Sequence, residues 1–423
     1  MRVVPASEAV SHIRSGDHVF VHGAAAAPNV LLSALAARAA DLRDVVMTHL
    51  HLEGAAPHLA PEMAAHFRHR ALFIGSNARQ AVAEGRAEYV PVFLSDIPHL
   101  MQRGSIQVDV AILNLTPPDR HGYCSLGTSV DVALAASRAA RLVIAQLNPA
   151  VPRTLGDGFV PAARIDYGVE VKEPPVAVTL PEIGDVEQRI GTRIAALVPD
   201  RATIQMGIGA IPTAVALSLT EHRDLGIHSE MITDVVVDLV EQGVVTGAFK
   251  EVNRGKIVSA FLTGTKRLYD FVDDNPQVEM RPADYTNDSA VIRRFRRMTA
   301  INSAVEVDLT GQVCADSIGH RLLSGVGGQM DFIRGAALAE EGRAIIALPS
   351  TAGDGAYSRI VATLRPGAGV VTTRAHVETI VTEHGVADLV GRSIPERARA
   401  LIGLADPRFR EELEREAREL RLV

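Results

Sequence analysis

The sequence predicts an α/β protein of two tandem, related open domains, each a mostly parallel sheet with helices on both faces. Three observations lead there. Short apolar stretches alternate with amphipathic ones along most of the 423 residues, the pattern left by strand–helix–strand crossovers. Residues 148–183 are punctuated by Pro149, Pro152, Pro174, Pro175 and Pro181, which remove the backbone donors that strands and helix interiors need. The two halves also repeat one another. Gly16-Asp17-His18-Val19-Phe20-Val21-His22-Gly23-Ala24-Ala25-Ala26-Ala27-Pro28 matches Asp200-Arg201-Ala202-Thr203-Ile204-Gln205-Met206-Gly207-Ile208-Gly209-Ala210-Ile211-Pro212, with the same Gly-to-Pro spacing.

In order, strands are expected over 17–22, 44–50, 71–74, 89–92, 108–113 and 141–146, with a helix over 28–38 that carries its proline in the first turn. A boundary near 183 then divides the chain into 1–183 and 184–423. After the second glycine turn the first-half order returns: a helix, Asp224-Leu225 in place of Asp41-Leu42, and another apolar strand. Val108 to Leu113 followed by His121-Gly122-Tyr123-Cys124 is echoed by Val305 to Leu309 followed by Gly311-Gln312-Val313-Cys314. Asp406-Pro407 starts a charged C-terminal helix over 409–420.

Composition narrows the function. Forty-three Lys plus Arg against fifty Asp plus Glu leave a net charge of −7, the wrong sign for a nucleic-acid footprint. The exception, Arg293-Arg294-Phe295-Arg296-Arg297, reads as a solvated helix face or a phosphate contact. Cys124 and Cys314 are isolated, so neither a disulfide framework nor a zinc site is indicated. The N-terminus lacks the apolar core of a signal peptide, and no uncharged run approaches the ~20 residues that span a bilayer. A soluble cytoplasmic protein with no membrane and no nucleic-acid partner is expected.

In open α/β sheets ligands bind beyond the carboxyl ends of strands. The halves differ there: Thr48-His49-Leu50-His51 in the first, His228-Ser229-Glu230 in the second. Glu230 ends the apolar stretch Leu225-Gly226-Ile227-His228-Ser229-Glu230-Met231, about twenty residues after the turn Gly207 to Pro212, and a helix over 232–240 is expected to follow at once. Three readings compete. Glu230 is a surface or capping carboxylate; it is the ribose-gripping acid of a dinucleotide fold, although Pro212 stands where the third glycine of that fingerprint belongs; or it is a nucleophile. The third gains from Gly325-Val326-Gly327-Gly328-Gln329, whose glycine N–H groups suit an anion or oxyanion, though such a cluster also reads as a flexible loop.

Residues 225–234 (LGIHSEMITD), 264–272 (GTKRLYDFV), 325–335 (GVGGQMDFIRG), 118–131 (PDRHGYCSLGTSVD) and 386–404 together resemble the acetyl-CoA hydrolase/transferase family over essentially the full length, nearest its 4-hydroxybutyrate and butyryl-CoA:acetate CoA-transferases. The resemblance implies two NagB/RpiA-like α/β domains and an active glutamate at Glu230. It places a coenzyme A site on Gln205, Gly207, Ile208, Gly209, Ala210 and Ile211 and on Gly325 and Gln329, with Gly327 and Gly328 as oxyanion donors. No cofactor is permanently bound; CoA and acyl-CoA are substrates, the partner is a short-chain carboxylate, and a homodimer is expected.

The chemistry it implies is a ping-pong transfer of CoA through a glutamyl-CoA thioester on Glu230. A carboxylate is ionised at pH 7 without a helper base, and a thiolate leaves readily. The rivals are an acyl-CoA hydrolase using the same glutamate and a non-catalytic CoA-binding protein. Two departures stand out. Val235 replaces a usual Gly or Ala, which predicts a narrower acyl pocket. Residues 349–359 lack the lysines relatives often carry; if those lysines meet CoA phosphates, phosphate binding here uses other groups, such as Lys266 or Arg267, or is weaker. His49, His51, Glu53 and His58 match no common ligand spacing, and no metal is expected; His49 or His51 is instead assigned to the acceptor carboxylate.

Overall fold

Strands buried on both faces belong to parallel sheets, because helices cover both faces. In the computed structural model, which describes residues 1–179 and 181–423, every residue of Val45–His49, Val110–Leu115 and Leu142–Leu147 is buried. These are β3, β6 and β7 of an eight-stranded sheet, with β1 (Arg2–Val3), β2 (His18–Val21), β4 (Phe67–Ala71), β5 (Ala87–Tyr89) and β8 (Tyr167–Glu170). The order is β1-β8-β7-β6-β2-β3-β4-β5, and every pair is parallel. Val19, Val21, Val45, Met47, Val110 and Ile112 pack with Leu31, Leu32 and Leu35 of helix α1 (Asn29–Ala37) in the core of this unit.

The second unit contains β9 (Thr203–Met206), β10 (Gly226–Ile232), β11 (Met298–Ser303), β12 (Arg343–Ala347), β13 (Thr379–Thr382) and β14 (Gly385–Asp388). They lie in the order β10-β9-β11-β12-β13-β14, parallel except for the hairpin β13–β14. Helices α2 (Asp185–Ala195), α3 (Ala210–Leu217), α4 (Asp234–Glu241), α5 (Gln329–Ala337), α6 (Ile394–Leu404) and α7 (Pro407–Glu419) belong to this unit. Phe295, Phe332, Ile346, Ile380 and Leu401 anchor its core. The Ser393 hydroxyl and backbone N–H both bond to Glu396, a capping box that starts α6. Asp406 caps α7 through the Arg408 N–H, as the Asp-Pro start predicts.

The repeat read from the sequence is a repeat of topology. Numbered along the chain within each unit, β3-β2-β6-β7-β8 and β10-β9-β11-β12-β13 both run 2-1-3-4-5, a doubly wound order whose switch point lies between its strands 1 and 3. The edges differ: β1 adds a parallel strand, β14 an antiparallel one.

The division into units is not a single cut near residue 183. The first unit comprises 1–179, 258–286 and 323–325, the second 181–257, 287–322 and 326–423; Leu180, within the proline-punctuated connection, lies outside the described residues. Two strands are misplaced by sequence reading, one of them 89–92, where β5 is Ala87–Tyr89. The stretch 71–74 predicts a strand, whereas β4 is Phe67–Ala71, with Phe67, His69 and Ala71 buried on one face and arginines on the other. A buried histidine between two arginines hides the alternation. Of the arginine cluster, Arg296 and Arg297 are paired with Glu341, and Phe295 is wholly buried.

Candidate active site

β10 holds one partly exposed residue, Glu230, in an otherwise buried strand. Its ladder to β9 pairs Thr203 with Gly226 and Ile204 with Ile227. Beyond that, Ser229 ties the strands: its hydroxyl donates to the Met206 carbonyl at 3.0 Å and receives the Met206 N–H at 3.3 Å. Below, the buried Lys250 donates to the Ile227 and Lys256 carbonyls at 2.7 Å each, and His228 packs against Phe295 with ring centroids 4.7 Å apart.

The helix expected directly after Glu230 begins later. Ile232 continues the strand, Thr233 is extended, and α4 starts at Asp234, because β-branched Ile232 and Thr233 favour extended backbone. The helix terminus beside the carboxylate is that of α5. Gly328 is its N-cap, and a Cβ built there would lie 1.8 Å from Glu230 Oε2 and 2.1 Å from Asn287 Nδ2. Only glycine fits. Gly327 before it has φ +55°, the left-handed region that glycine enters without steric cost. The carboxylate therefore sits where a helix dipole stabilises negative charge.

Asn287, fully buried, completes the arrangement. Its Nδ2 donates to Glu230 Oε2 at 3.0 Å and to Asp331 Oδ2 at 3.3 Å. One neutral amide thus bridges two carboxylates and fixes the orientation of the nucleophile candidate. Sequence reasoning missed Asn287: in the polar stretch Asp284 to Ser289 nothing marks it, and its partners lie 57 and 44 residues away.

The other predicted residues lie on several elements. Gly207 and Gly209 lie at the carboxyl end of β9, and a Cβ at either would meet nothing within 4 Å. Gly209, with φ +119°, caps α3, whose first turn holds Ala210 and Ile211, and Ile208 is 54% exposed. Backbone is thus open to a ligand along this turn. Gln205 is a correction: it is buried, and its Oε1 accepts from the Ile301 N–H and Asn302 Nδ2 at 3.2 and 3.1 Å, so it ties β9 to β11 rather than facing a ligand. Gln329 donates to Thr372 Oγ1 at 3.2 Å. Gly325 and Lys266 belong to the first unit. A Cβ at Gly325 would lie 3.1 Å from Phe73 and Tyr89. Lys266 pairs with Asp270 at 2.6 Å and lines a groove of about 620 Å³ with Tyr269 and the prolines at 149, 152, 174 and 175.

Val235 corrects a further expectation. It lines a cavity of about 10 Å³ with Met206, Gly207, Ser229 and Met231. Side chains alternate along a strand, so the face of Ser229 and Met231 is opposite that of His228 and Glu230. Val235 does not narrow the space around the carboxylate. His49 is fully buried beside His58 and His69. His51 packs between Phe73 and Phe261, and burial pushes its proton affinity below the usual histidine range. Cys124 and Cys314 are buried, with the Cys124 thiol pushed up to about 11 by burial.

Residues 1–180 match the acetyl-CoA hydrolase/transferase N-terminal domain, and residues 264–417 the C-terminal domain of the same family. The chain belongs to the acetyl-CoA hydrolase/transferase family. Among curated members it is 48% identical to the 4-hydroxybutyrate coenzyme A transferase of Clostridium kluyveri, covering 97% of this chain and 96% of that one. It is 45% identical to the succinyl-CoA:acetate/propanoyl-CoA:succinate CoA transferase of Fasciola hepatica, over 97% and 86%. Among solved structures, RipA from Yersinia pestis superposes with a TM-score of 0.93 at 34% identity, covering 100% and 98%. Within the acetyl-CoA hydrolase/transferase family, then, this chain presents a half-buried carboxylate on β10 against a glycine helix start. No helix among the described residues is long and apolar enough to cross a membrane.

Proposed function

We propose that this chain is a CoA-transferase that moves CoA from an acyl-CoA to a short-chain carboxylate through a glutamyl-CoA thioester on Glu230. The observation that carries this is the Glu230 carboxylate, held by Asn287 against the start of α5. The two curated relatives named above support it, since both are named for CoA transfer.

Glu230 attacks the acyl thioester carbonyl; the C–S bond breaks, CoA leaves as thiolate, and a glutamyl–acyl anhydride forms. The thiolate then attacks the glutamyl carbonyl, releasing the donor acid as carboxylate and leaving CoA on Glu230. An acceptor carboxylate reverses the sequence. No net proton moves, consistent with a carboxylate nucleophile near pKa ~4.3 and a thiol leaving group near ~8.5. The tetrahedral oxyanions are received by backbone N–H groups at Gly327 and Gly328, each worth about 3 kcal/mol. The Gly207, Ile208, Gly209, Ala210 and Ile211 turn, with Gly325 and Gln329, receives CoA, and Lys266 meets its phosphates; remote binding of that tail holds the reacting carbon in place. The enzyme is assigned to the cytoplasm and acts as a homodimer, with CoA as substrate and no resident cofactor.

The test follows CoA after mixing the protein with acetyl-CoA, alone and with a panel of short carboxylates. New acyl-CoA should form faster than free thiol, and acetyl-CoA alone should leave a CoA adduct on the Glu230 peptide that Glu230→Gln lacks. Free CoA released at one rate with or without acceptor would make the protein a hydrolase. Equal turnover by Glu230→Gln would remove Glu230 from the mechanism, and unchanged acyl-CoA throughout would leave a binding protein.

A further inference from the structure

We propose that the first unit binds a transition-metal ion on the imidazoles of His49, His58 and His69. His49 ends β3, and the register that sets Met47 opposite His69 and His49 opposite Ala71 puts His49 and His69 on one face of neighbouring strands. His58 comes from the single turn Pro57–Leu59, which packs against β4 and α1. The three ring centroids lie 4.3 Å (His49 to His69), 5.5 Å (His49 to His58) and 5.5 Å (His58 to His69) apart. One nitrogen from each ring lies within 4.8 Å of the other two. Metal–nitrogen bonds of about 2.0–2.1 Å need ligands roughly 3.4 Å apart, a closure that small side-chain rotations supply.

Burial separates this cluster from an ordinary group of histidines. The rings are 0%, 4% and 2% exposed, and all six of their nitrogens are buried without a hydrogen-bond partner. Buried polar atoms are nearly always satisfied, so three orphaned imidazoles converging on one point call for a ligand. A metal satisfies one nitrogen of each. Apolar side chains would fill the space better if packing were the only purpose. Burial also lowers the proton affinity of each ring, to about 3 for His58 and about 4 for His69, so the lone pairs are free at neutral pH. The Met47 carbonyl partly offsets this at His69 without forming a hydrogen bond of normal geometry. Three nitrogen donors and no carboxylate ligand suit zinc or copper rather than magnesium or calcium. The transfer chemistry proposed above needs no metal, so the ion's place is structural: it joins β3, β4 and the turn between them. The inference stands or falls independently of that chemistry.

The test uses the full chain, produced in medium supplemented with zinc and copper, dialysed against EDTA at neutral pH and analysed by elemental mass spectrometry. About one ion per chain is expected, its identity read directly, and His58→Leu and His69→Leu should each hold less than a tenth of that while exposed His99→Ala keeps it. Wild type carrying less than a tenth of an ion per chain, or leucine variants that fold and retain it, would overturn the proposal. Should the variants fail to fold, wild type from cobalt-supplemented medium decides: visible bands of a nitrogen-ligated Co²⁺ are expected, and their absence overturns the site.

Discussion

The narrowest tolerances in this protein surround one oxygen, Glu230 Oε2. Asn287 Nδ2 approaches it from one side and the Gly328 Cα from another. A hydrogen bond to a charged group contributes about 1.5–3 kcal/mol. Asn287→Ala should therefore lower kcat roughly 10- to 100-fold while leaving the KM for acyl-CoA nearly unchanged; a loss confined to KM would mean that Asn287 binds substrate rather than positioning Glu230. Gly328→Ala places a methyl group on the carboxylate. We expect more than ~100-fold loss of turnover with an unchanged circular dichroism spectrum, and wild-type activity would place the nucleophile elsewhere. Glu230 was legible in the sequence because a lone carboxylate interrupts an apolar strand. Asn287 was not, because nothing local distinguishes it from any loop asparagine.

Among elements, β10 and its neighbours decide which side chains face the chemistry. The alternation that points Glu230 towards α5 sends Ser229 and Met231 to the cavity lined by Val235. Val235→Gly should accordingly leave acyl preference unchanged and cost about 3 kcal/mol, from a lost buried side chain and a glycine in the first turn of α4. Denaturant unfolding measures the second, and a broadened acyl range would show that the cavity communicates with the acyl site. In the first unit His22 follows β2 as Met206 ends β9. Its Nδ1 accepts the Asn114 N–H at 3.2 Å, so its Nε2–H donates to the Ser129 carbonyl at 2.6 Å. Burial holds its pKa below the ordinary 6.5. The unfolded chain then binds the proton more readily, so the contribution of this ring is complete above pH 6.5 and lost as pH falls towards the folded value. The stability advantage of wild type over His22→Gln should shrink by up to ~1.4 kcal/mol per pH unit below 6.5; a constant difference between pH 7 and 5 would refute the assignment.

For the whole molecule, the proposed homodimer sets light scattering at about twice the 45.2 kDa chain, and a mass near one chain would exclude it. The open α/β class, the tandem repeat, the place of Glu230 as the one carboxylate of an apolar strand and the family resemblance were all legible in the sequence, because each depends on periodicity or on residues adjacent along the chain. Strand 67–71 escaped because His69, between Arg68 and Arg70, reads as polar although it is buried. The place of residues 258–286 and 323–325 in the first unit escaped because no composition shift marks it. Tertiary structure alone decided that α5, not α4, meets the carboxylate, that Gln205 is spent within the sheet, that Val235 faces away from Glu230, and that three histidines from two strands and a turn converge. The physical reason is common to all four: each depends on register and packing between elements, which local pattern does not encode.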